Sequence, residues 1–340
     1  MKESNFIIAL FLLLAINCDA QMKLTKVAEE LMYSNPPFAQ CHASTIVETD
    51  PNKFMAAAFG GTREGNKDVC IWLSIKENGK WSNPIKMADG VINDTLRYPT
   101  WNPVLFKSKQ GKLFLFYKEG PSPGTWWGMV RTSGNNGKTW EPPYKLPEGV
   151  LGPIKNKPVQ LHNGTILSPS STEDNGWKVH IEKSIDEGKT WQVMPVDTSS
   201  IYDVIQPTIL IHPKETLQIL CRSKSNLILE SYSKDNGDTW GVLTKTVLPN
   251  PNSGIDAVTL SNGYYLLVYN PTEKGKGGRA KLNVAISEDG TKWSDAMILE
   301  NQEKGEFSYP AVIQAKDGNI HITYTYNRVN VKHVVLSLSK

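Results

Sequence analysis

The chain alternates short apolar segments with polar turns, and one such unit recurs along most of its length. Each unit has an apolar stretch, a polar turn that usually carries glycine, and a second apolar stretch, which is the pattern of a β-hairpin. The six copies begin at Ser44, Asn102, Lys157, Gln206, Asp256 and Tyr309. The last five starts are 55, 49, 50 and 53 residues apart, and strand-only units at such a period are typical of a β-propeller. We therefore predict an all-β fold, a six-bladed β-propeller of four-stranded antiparallel blades.

A second pattern lies between the hairpins and in phase with them. It reads SIDEGKTW from Ser184 and SKDNGDTW from Ser233. Less regular copies begin at Ser74, Ser133 and Ser287. An Asp or Asn followed by Gly favours a tight turn, and the closing Trp is a large apolar group that can pack between blades. These octapeptides resemble the Asp boxes of the sialidase superfamily, and we interpret them as structural turns remote from catalysis.

Composition narrows the possible partners. The 340 residues carry 37 basic and 34 acidic side chains, so the net charge of +3 gives no reason to expect a nucleic-acid partner. No CxxC, HExxH or three-ligand spacing is present, so neither a metal nor a cofactor is expected. No segment after the N-terminus predicts a membrane span, and a monomer is the default expectation.

The N-terminus predicts export. A lysine precedes an apolar run over residues 6–16, and Cys18-Asp19-Ala20 forms a small-x-small cleavage pattern. We predict a signal peptide over residues 1–20, a single domain over residues 21–340, and a secreted or periplasmic protein. A lipoprotein signal ending at Cys18 fits less well, because Asn17 is an unusual neighbour for it. Cleavage leaves three cysteines, an odd number, which favours buried free thiols over a disulfide framework.

Polar residues stand where the inner strands begin and where the second strands end. Because the inner strand of every blade lines the central channel, these positions should meet at one mouth of the propeller. The first set is Ala43, Asn102, Lys157, Gln206, Asp256 and Tyr309, and the second is Gly60, Lys118, Ser171, Arg222, Asn270 and Thr325. Cations, acids and a phenol in one place predict a functional site. A water-filled funnel of mutually satisfied polar groups is the alternative.

The chain resembles the sialidase (neuraminidase) superfamily of six-bladed propellers over essentially everything after the N-terminal segment. In those enzymes three arginines bind the substrate carboxylate, a tyrosine activated by a glutamate is the nucleophile, and an aspartate is the acid/base. The resemblance assigns Arg222 and Arg279 to the carboxylate clamp and Tyr309, eight residues before Asp317, to the nucleophile. An arginine suits the clamp because its planar fork binds a carboxylate bidentately.

The chain departs from the family pattern at three positions. The first arginine of the family falls on His42, and the glutamate falls on Gln206, sixteen residues before Arg222. Glutamine cannot take the phenol proton, so the ring neighbours Asp256 and Lys157 are candidates to activate the tyrosine. The acid/base position falls within GGTREGNKD, where Glu64 is the best match in spacing and Asp68 the second. Either carboxyl can protonate a leaving oxygen if burial raises its pKa.

These assignments give two sets of predicted site residues. The predicted catalytic residues are Tyr309, Glu64, Asp68, Gln206 and Asp256. The predicted substrate-binding residues are Arg222, Arg279, His42, Lys157, Arg63, Lys118, Asn102 and Asn270. The tryptophans at 126 and 127 lie in a Gly/Pro loop, where they either stack on a sugar or pack beneath the loop.

The resemblance implies a secreted exo-glycoside hydrolase that removes a terminal acidic sugar from a glycan or glycoconjugate. Sialic acid, a related keto-acid sugar and a uronate all fit a carboxylate clamp. One alternative is a uronate polysaccharide lyase, in which Tyr309 and His42 act as acid and base. The other is a non-catalytic carbohydrate-binding propeller, which Gln206 in place of glutamate favours.

Overall fold

The computed structural model describes residues 22–339, and the predicted signal peptide lies outside this range. Six antiparallel sheets form the blades of a propeller, which confirms the predicted fold class. Between residues 22 and 339 the only helical element is a 3-10 turn, Pro213–Glu215, so no helix there is long enough to cross a membrane.

The first three blades follow one another along the chain, each running from its inner to its outer strand. Blade 1 contains β2 (Gln40–Asp50), β3 (Lys53–Gly61) and β4 (Cys70–Glu77), with the short β5 (Lys80–Trp81) and β6 (Ile85–Ala88) both pairing with β4. Blade 2 contains β7 (Thr100–Lys107), β8 (Leu113–Glu119), β9 (Trp127–Ser133) and β10 (Tyr144–Lys145). Blade 3 contains β11 (Val159–Gln160), β12 (Ile166–Thr172), β13 (Lys178–Ser184) and β14 (Gln192–Pro195).

The last three blades have the same order, except that the final blade takes its outer strand from the N-terminus. Blade 4 contains β15 (Val204–Ile211), β16 (Leu217–Ser223), β17 (Leu227–Ser233) and β18 (Thr244–Pro249). Blade 5 contains β19 (Asp256–Thr259), β20 (Tyr265–Tyr269), β21 (Lys281–Ser287) and β22 (Ser294–Asn301). Blade 6 contains β23 (Phe307–Gln314), β24 (Ile320–Tyr326), β25 (Asn330–Ser339) and β1 (Lys23–Leu31).

Strand β1 closes the ring by pairing with β25, from Lys23 opposite Ser339 to Leu31 opposite Lys332. Near its end, Glu30 accepts hydrogen bonds from Trp81 of blade 1 and lies 3.0 Å from His333 of β25. The closing strand is thus tied to blade 6, in which it lies, and to blade 1.

The inner strands carry a bulge at the mouth of the channel, where the strand register shifts. The bulged residues have positive φ, at 54° for Ala43, 40° for Asn102, 56° for Gln206 and 53° for Tyr309. Non-glycine residues rarely adopt this conformation, and strain of this kind is concentrated at functional sites. The repeated bulge aims a side chain of each of these blades at the mouth.

The bulge corrects the predicted ring in blades 3 and 5. In blade 3 the residue with positive φ is Lys155, at 75°, two residues before the predicted Lys157. In blade 5 the amide of Ala257 donates to Thr208 Oγ1 of the preceding blade at 3.1 Å. The equivalent bond in blade 2 runs from the amide of Leu105, three residues after the bulged Asn102, to Thr45 Oγ1 at 3.0 Å. This register places Gly254 at the mouth, so Lys157 and the predicted Asp256 lie deeper in the channel.

The Asp-box turns lie at the opposite face, because they follow the third strands. In the copy from Ser184, the Ser184 hydroxyl accepts from the Gly188 amide at 2.8 Å, and Asp186 accepts from the Thr190 amide at 2.9 Å. Trp191 then packs against Phe116 of the preceding blade, with ring centroids 6.2 Å apart. The turns are therefore structural wedges between blades, as the sequence predicts.

Candidate active site

A cavity of about 170 Å³ opens at the mouth of the channel where the bulges lie. Its walls come from blades 1 to 4 and blade 6. The residues that line it are Glu64, Trp101, Asn102, Pro123, Trp126, Glu173, Ile205, Gln206, Arg222 and Tyr309. Five of these, Glu64, Asn102, Gln206, Arg222 and Tyr309, are predicted site residues, and we take the cavity as the candidate active site.

Tyr309 and Arg222 are in direct contact at the floor of the cavity. The guanidinium Nη1 of Arg222 donates to the Tyr309 hydroxyl oxygen at 2.6 Å and to Gln206 Oε1 at 3.1 Å. Its Nε donates to Asn252 Oδ1 at 2.7 Å, which fixes the plane of the guanidinium. The structure thus joins three residues that are 87 and 16 positions apart in the chain.

The surroundings of Tyr309 favour its ionised form. Burial opposes ionisation, but the charges of Arg222 and Arg279 and a hydrogen bond from Gln206 outweigh it, so the pKa of the Tyr309 phenol lies below its ordinary value. The Oε1 of Gln206 is occupied by Arg222, which leaves the Nε2 hydrogens to serve the phenol oxygen. Tyr309 is therefore surrounded by donors, and the lowered pKa does not need the family glutamate.

A third guanidinium, which the sequence analysis missed, lies beside the first two. Arg279 Nη1 donates to Glu306 Oε1 at 2.9 Å, and Arg328 Nε donates to Glu306 Oε2 at 2.8 Å. Arg279 also lies over the ring of Tyr309, 5.3 Å from its centroid. Arg328 lies in the turn after β24. A turn residue gives no sequence signal that its side chain is partly buried. Three arginines therefore surround this mouth, two of them oriented by one carboxylate.

His42 packs against Tyr309 instead of contributing a positive charge. Its ring lies 4.1 Å from that of Tyr309, and its Nδ1 is 2.8 Å from Thr325 Oγ1. Burial, together with the charges of Arg328 and Arg279, holds the pKa of His42 well below its ordinary value. The imidazole is neutral, so the missing arginine of the first blade is not replaced by a charged histidine.

The two predicted acids of the loop after β3 are both engaged. Glu64 lines the cavity, and its Oε2 accepts a hydrogen bond from Arg328 Nη1. Asp68 accepts from the amide and the hydroxyl of Thr62, at 2.7 and 2.6 Å, which closes the loop on itself. The neighbouring Arg63 is exposed. Glu64 therefore reaches the cavity, whereas Asp68 stabilises the loop by hydrogen bonds within it.

Four predicted site residues serve the scaffold of the propeller. Lys157 Nζ lies 3.0 Å from Asp256 Oδ2, and Asp256 also accepts from the Thr208 hydroxyl and the Val312 amide, both at 2.8 Å. This pair is a buried link between blades below the cavity. It corrects the expectation that the two residues activate Tyr309.

The other two of the four scaffold residues are also held by backbone groups. Lys118 is fully buried and donates to the Pro153 carbonyl at 2.9 Å, and burial lowers its pKa to about 7. Asn270 donates to the carbonyls of Lys281 and Phe307, which joins blades 5 and 6. Neither side chain lines the cavity, and both contact backbone carbonyls of the scaffold instead.

A buried dipeptide beneath the cavity was also missed. Lys155 Nζ donates to the carbonyls of Ile255 and Pro310 and to Asn156 Oδ1. Asn156 Nδ2 in turn donates to the carbonyls of Gln206 and Pro207, both at 3.0 Å. One stretch of blade 3 thus holds the bulges that carry Gln206 and Tyr309, and Lys155 is a positioning residue.

The loop between β8 and β9 covers one side of the cavity. Trp126 lines the cavity and is only 8% exposed, and its Nε1 has no hydrogen-bond partner within residues 22–339. Trp127 points elsewhere, with its ring against Tyr98 and Lys145. Of the two tryptophans, Trp126 is the one placed to meet a ligand.

The fold and this site together define a sialidase-like propeller with an arginine-bound tyrosine at its mouth. The chain belongs to the family of the BNR repeat-like domain, whose model matches residues 52–322. No curated protein matches the sequence.

Solved structures share the fold at low sequence identity. A protein of unknown function from Dyadobacter fermentans has a TM-score of 0.76 and 17% identity, covering 93% of this chain and 99% of that one. The NanB sialidase of Streptococcus pneumoniae has a TM-score of 0.73 and 12% identity, covering 91% of this chain and 70% of that one. The intramolecular trans-sialidase of Ruminococcus gnavus has a TM-score of 0.73 and 14% identity, covering 92% and 98%.

Proposed function

We propose that the protein is a glycoside hydrolase that removes a terminal acidic sugar from glycans. The observation that carries the proposal is the Tyr309 oxygen held at 2.6 Å by Arg222 at the floor of the cavity. Arg279 lies against the same phenol ring, and Arg328 is joined to it through Glu306. The sialidase-like structural neighbours agree with glycosidase chemistry at such a tyrosine.

The arginines select the substrate class. Guanidinium groups bind a carboxylate through paired, charge-assisted hydrogen bonds, and a partly buried site strengthens them. A terminal sugar that carries a carboxylate next to its anomeric carbon would place that carbon close to Tyr309. Sialic acid and related keto-acid sugars have this geometry, whereas a uronate carries its carboxylate on a different ring carbon, beyond the ring oxygen. We therefore place the keto-acid sugars first.

The reaction follows from the ionisation of the phenol. The Tyr309 oxygen attacks the anomeric carbon, and the bond to the leaving oxygen breaks as that oxygen takes up a proton. Water then attacks the anomeric carbon and gives up one proton, the bond to Tyr309 breaks, and the phenolate is restored. Enzymes with a tyrosine nucleophile are a known exception to the paired carboxylates of most glycosidases. Because the predicted signal peptide precedes the domain, we propose that this reaction takes place outside the cytoplasm.

The test is release of 4-methylumbelliferone from glycosides of sialic acid, another keto-acid sugar and glucuronic acid. We expect turnover of at least one of them, and Tyr309→Phe should lower kcat by a factor of about 10³ or more, because the nucleophile is lost. Tyr269→Phe is the matched control, since its hydroxyl bonds Asp295 at 3.1 Å in blade 5. That variant should keep the activity of the wild type.

The products separate the alternatives. An unsaturated uronate that absorbs ultraviolet light would establish a lyase and overturn the hydrolase. Tight binding of an acidic glycan with no turnover would favour the carbohydrate-binding propeller that Gln206 suggests. Equal turnover by the wild type and by Tyr309→Phe would show that Tyr309 is not the nucleophile.

A further inference from the structure

The predicted acid of the reaction is already engaged by an arginine. Glu64 Oε2 accepts a hydrogen bond from Arg328, whose guanidinium is also held by Glu306 at 2.8 Å. That carboxylate oxygen therefore faces the guanidinium. Glu64 therefore completes the chain of charges that orients Arg328, and the site still lacks a group to protonate the leaving oxygen.

A second carboxyl group lines the same cavity. Glu173 directly follows β12, where the second strand of blade 3 reaches the mouth, and it contributes to the wall that also contains Tyr309 and Arg222. Its side chain is partly buried, and within residues 22–339 it forms no hydrogen bond and no ion pair. The wall carries a second unsatisfied group, the Nε1 of Trp126. An acid and a donor without partners in one cavity indicate a place for a polar ligand.

The environment of Glu173 suits a proton donor. Burial raises the pKa of its carboxyl above the ordinary value, against the opposing charges of Arg222 and Lys224, and the charge of Glu64 acts in the same direction as burial. The loop over residues 120–126 lies beside the backbone of Glu173, since a side-chain carbon added at Gly124 would lie 3.6 Å from the Glu173 carbonyl oxygen. Two carboxyls whose environments differ in this way can divide the roles of acid and charge partner.

We propose that Glu173 is the acid/base of the reaction and that Glu64 serves to orient Arg328. This inference rests on the proposed function. As the Tyr309 oxygen forms its bond to the anomeric carbon, the glycosidic bond breaks and its electron pair stays on the leaving oxygen. The Glu173 proton moves to that oxygen. In the second step the Glu173 carboxylate takes a proton from the attacking water, and the bond to Tyr309 breaks.

The experiment compares two glycosides of the same acidic sugar. One has an aryl leaving group, and in the other the leaving group is the hydroxyl of a second sugar. Glu173→Gln should lower kcat on the glycoside with the sugar leaving group by a factor of about 10² to 10⁴, because that poor leaving group needs a proton. On the aryl glycoside, formation of the glycosyl-enzyme should fall by less than about tenfold in a single-turnover measurement. The fall of kcat/KM at high pH, where the acid loses its proton, should disappear in the variant.

Two further variants keep the test decisive. Glu173→Asp retains a carboxyl and should keep the decline at high pH, even at a lower rate. Glu64→Gln should act on both glycosides alike and mainly raise KM, since Arg328 would lose its partner. If Glu64→Gln lost activity only on the glycoside with the sugar leaving group, and Glu173→Gln kept normal rates, the assignment would be overturned while the hydrolase stands. If the wild type cleaves neither glycoside, the proposed function itself is wrong, and the assignment falls with it.

Discussion

The phenol of Tyr309 is held by groups that donate hydrogen bonds, where a tyrosine nucleophile would ordinarily face a base. Arg222 donates at 2.6 Å, and Gln206 contributes the hydrogen bond that lowers the pKa of the phenol. A donor stabilises the phenolate, whereas an acceptor stabilises the phenol. Gln206 thus helps to lower the pKa of the phenol, where the family glutamate would accept its proton.

This view predicts the effect of restoring the glutamate. Gln206→Glu should raise the pKa of Tyr309 by about one unit or more, because a negative charge replaces a donor. The measurement is a titration of tyrosinate absorption, with the same variant carrying Tyr309→Phe subtracted. Gln206→Met, which removes the donor without adding charge, should give a smaller rise. An unchanged or lowered pKa in Gln206→Glu would show that Gln206 does not donate to the phenol.

Single residues were predictable where a repeat fixed their position. Tyr309, Gln206 and Arg222 follow from their places at strand starts and ends, and the structure brings them into contact. In blade 3 the run Lys155-Asn156-Lys157 offers the same side chain at two positions of equal parity, so a period of two cannot tell which lysine is at the bulge. Arg328 pairs with Glu64 across 264 positions, and no local pattern reports such a contact.

At the scale of elements, the Asp-box turns follow one hydrogen-bond scheme in different chemical forms. Asp235 accepts from the Ser233 hydroxyl at 2.8 Å and from the Thr239 amide at 2.9 Å. Asn135 accepts from the corresponding groups at 3.0 and 2.9 Å, and its Nδ2 donates to the Thr139 hydroxyl at 2.8 Å. The amide therefore preserves the turn, which explains why the copy from Ser133 folds like those that carry an aspartate.

The turns give a prediction about stability. Asp235→Ala should lower the free energy of unfolding by about 1 kcal/mol, from the lost hydrogen bonds, while Asp235→Asn should be close to the wild type. The bond from Thr239 lowers the pKa of Asp235 to about 2 from 3.8, so the carboxylate stabilises the fold above its ordinary pKa. This contribution is lost as the pH falls toward about 2. Thermal unfolding of the three proteins across acidic pH measures it, and a constant difference between wild type and Asp235→Asn would contradict it.

The hairpin pattern predicted the paired inner strands better than the outer ones. β7 and β8 are long, buried runs of apolar residues, whereas the outer strands β5 and β10 have two residues each and leave no period to detect. Such short strands form because a neighbouring strand offers its edge, which is information that the local sequence does not hold.

At the scale of the whole molecule, the propeller is stabilised without disulfides among residues 22–339. Cys41, Cys70 and Cys221 are buried free thiols, as the odd count predicts. Burial raises the pKa of the Cys41 thiol to about 12 and raises that of Cys221 as well. Their thiolates are therefore scarce at neutral pH, and the thiols are inert in the folded state.

The thiols give a prediction for the entire fold. The melting temperature of the protein should be the same with and without a reductant, because no cross-link is present to reduce. A thiol-specific reagent should label these cysteines slowly in the native protein and rapidly after unfolding. A melting temperature that falls by several degrees in reductant, or fast labelling of the native protein, would contradict the free, buried state of the thiols.

The closure of the ring by β1 has a consequence for synthesis. The first strand of blade 6 to leave the ribosome is β1, and the strand that it pairs with, β25, is the last. Until then β1 has no partner, and a nascent chain cannot complete the circle however many blades have formed. A chain released early keeps an open sheet edge, which quality-control proteases and chaperones bind readily. The ten-residue strand β25 is therefore the one that covers the open edge of β1 and closes the ring.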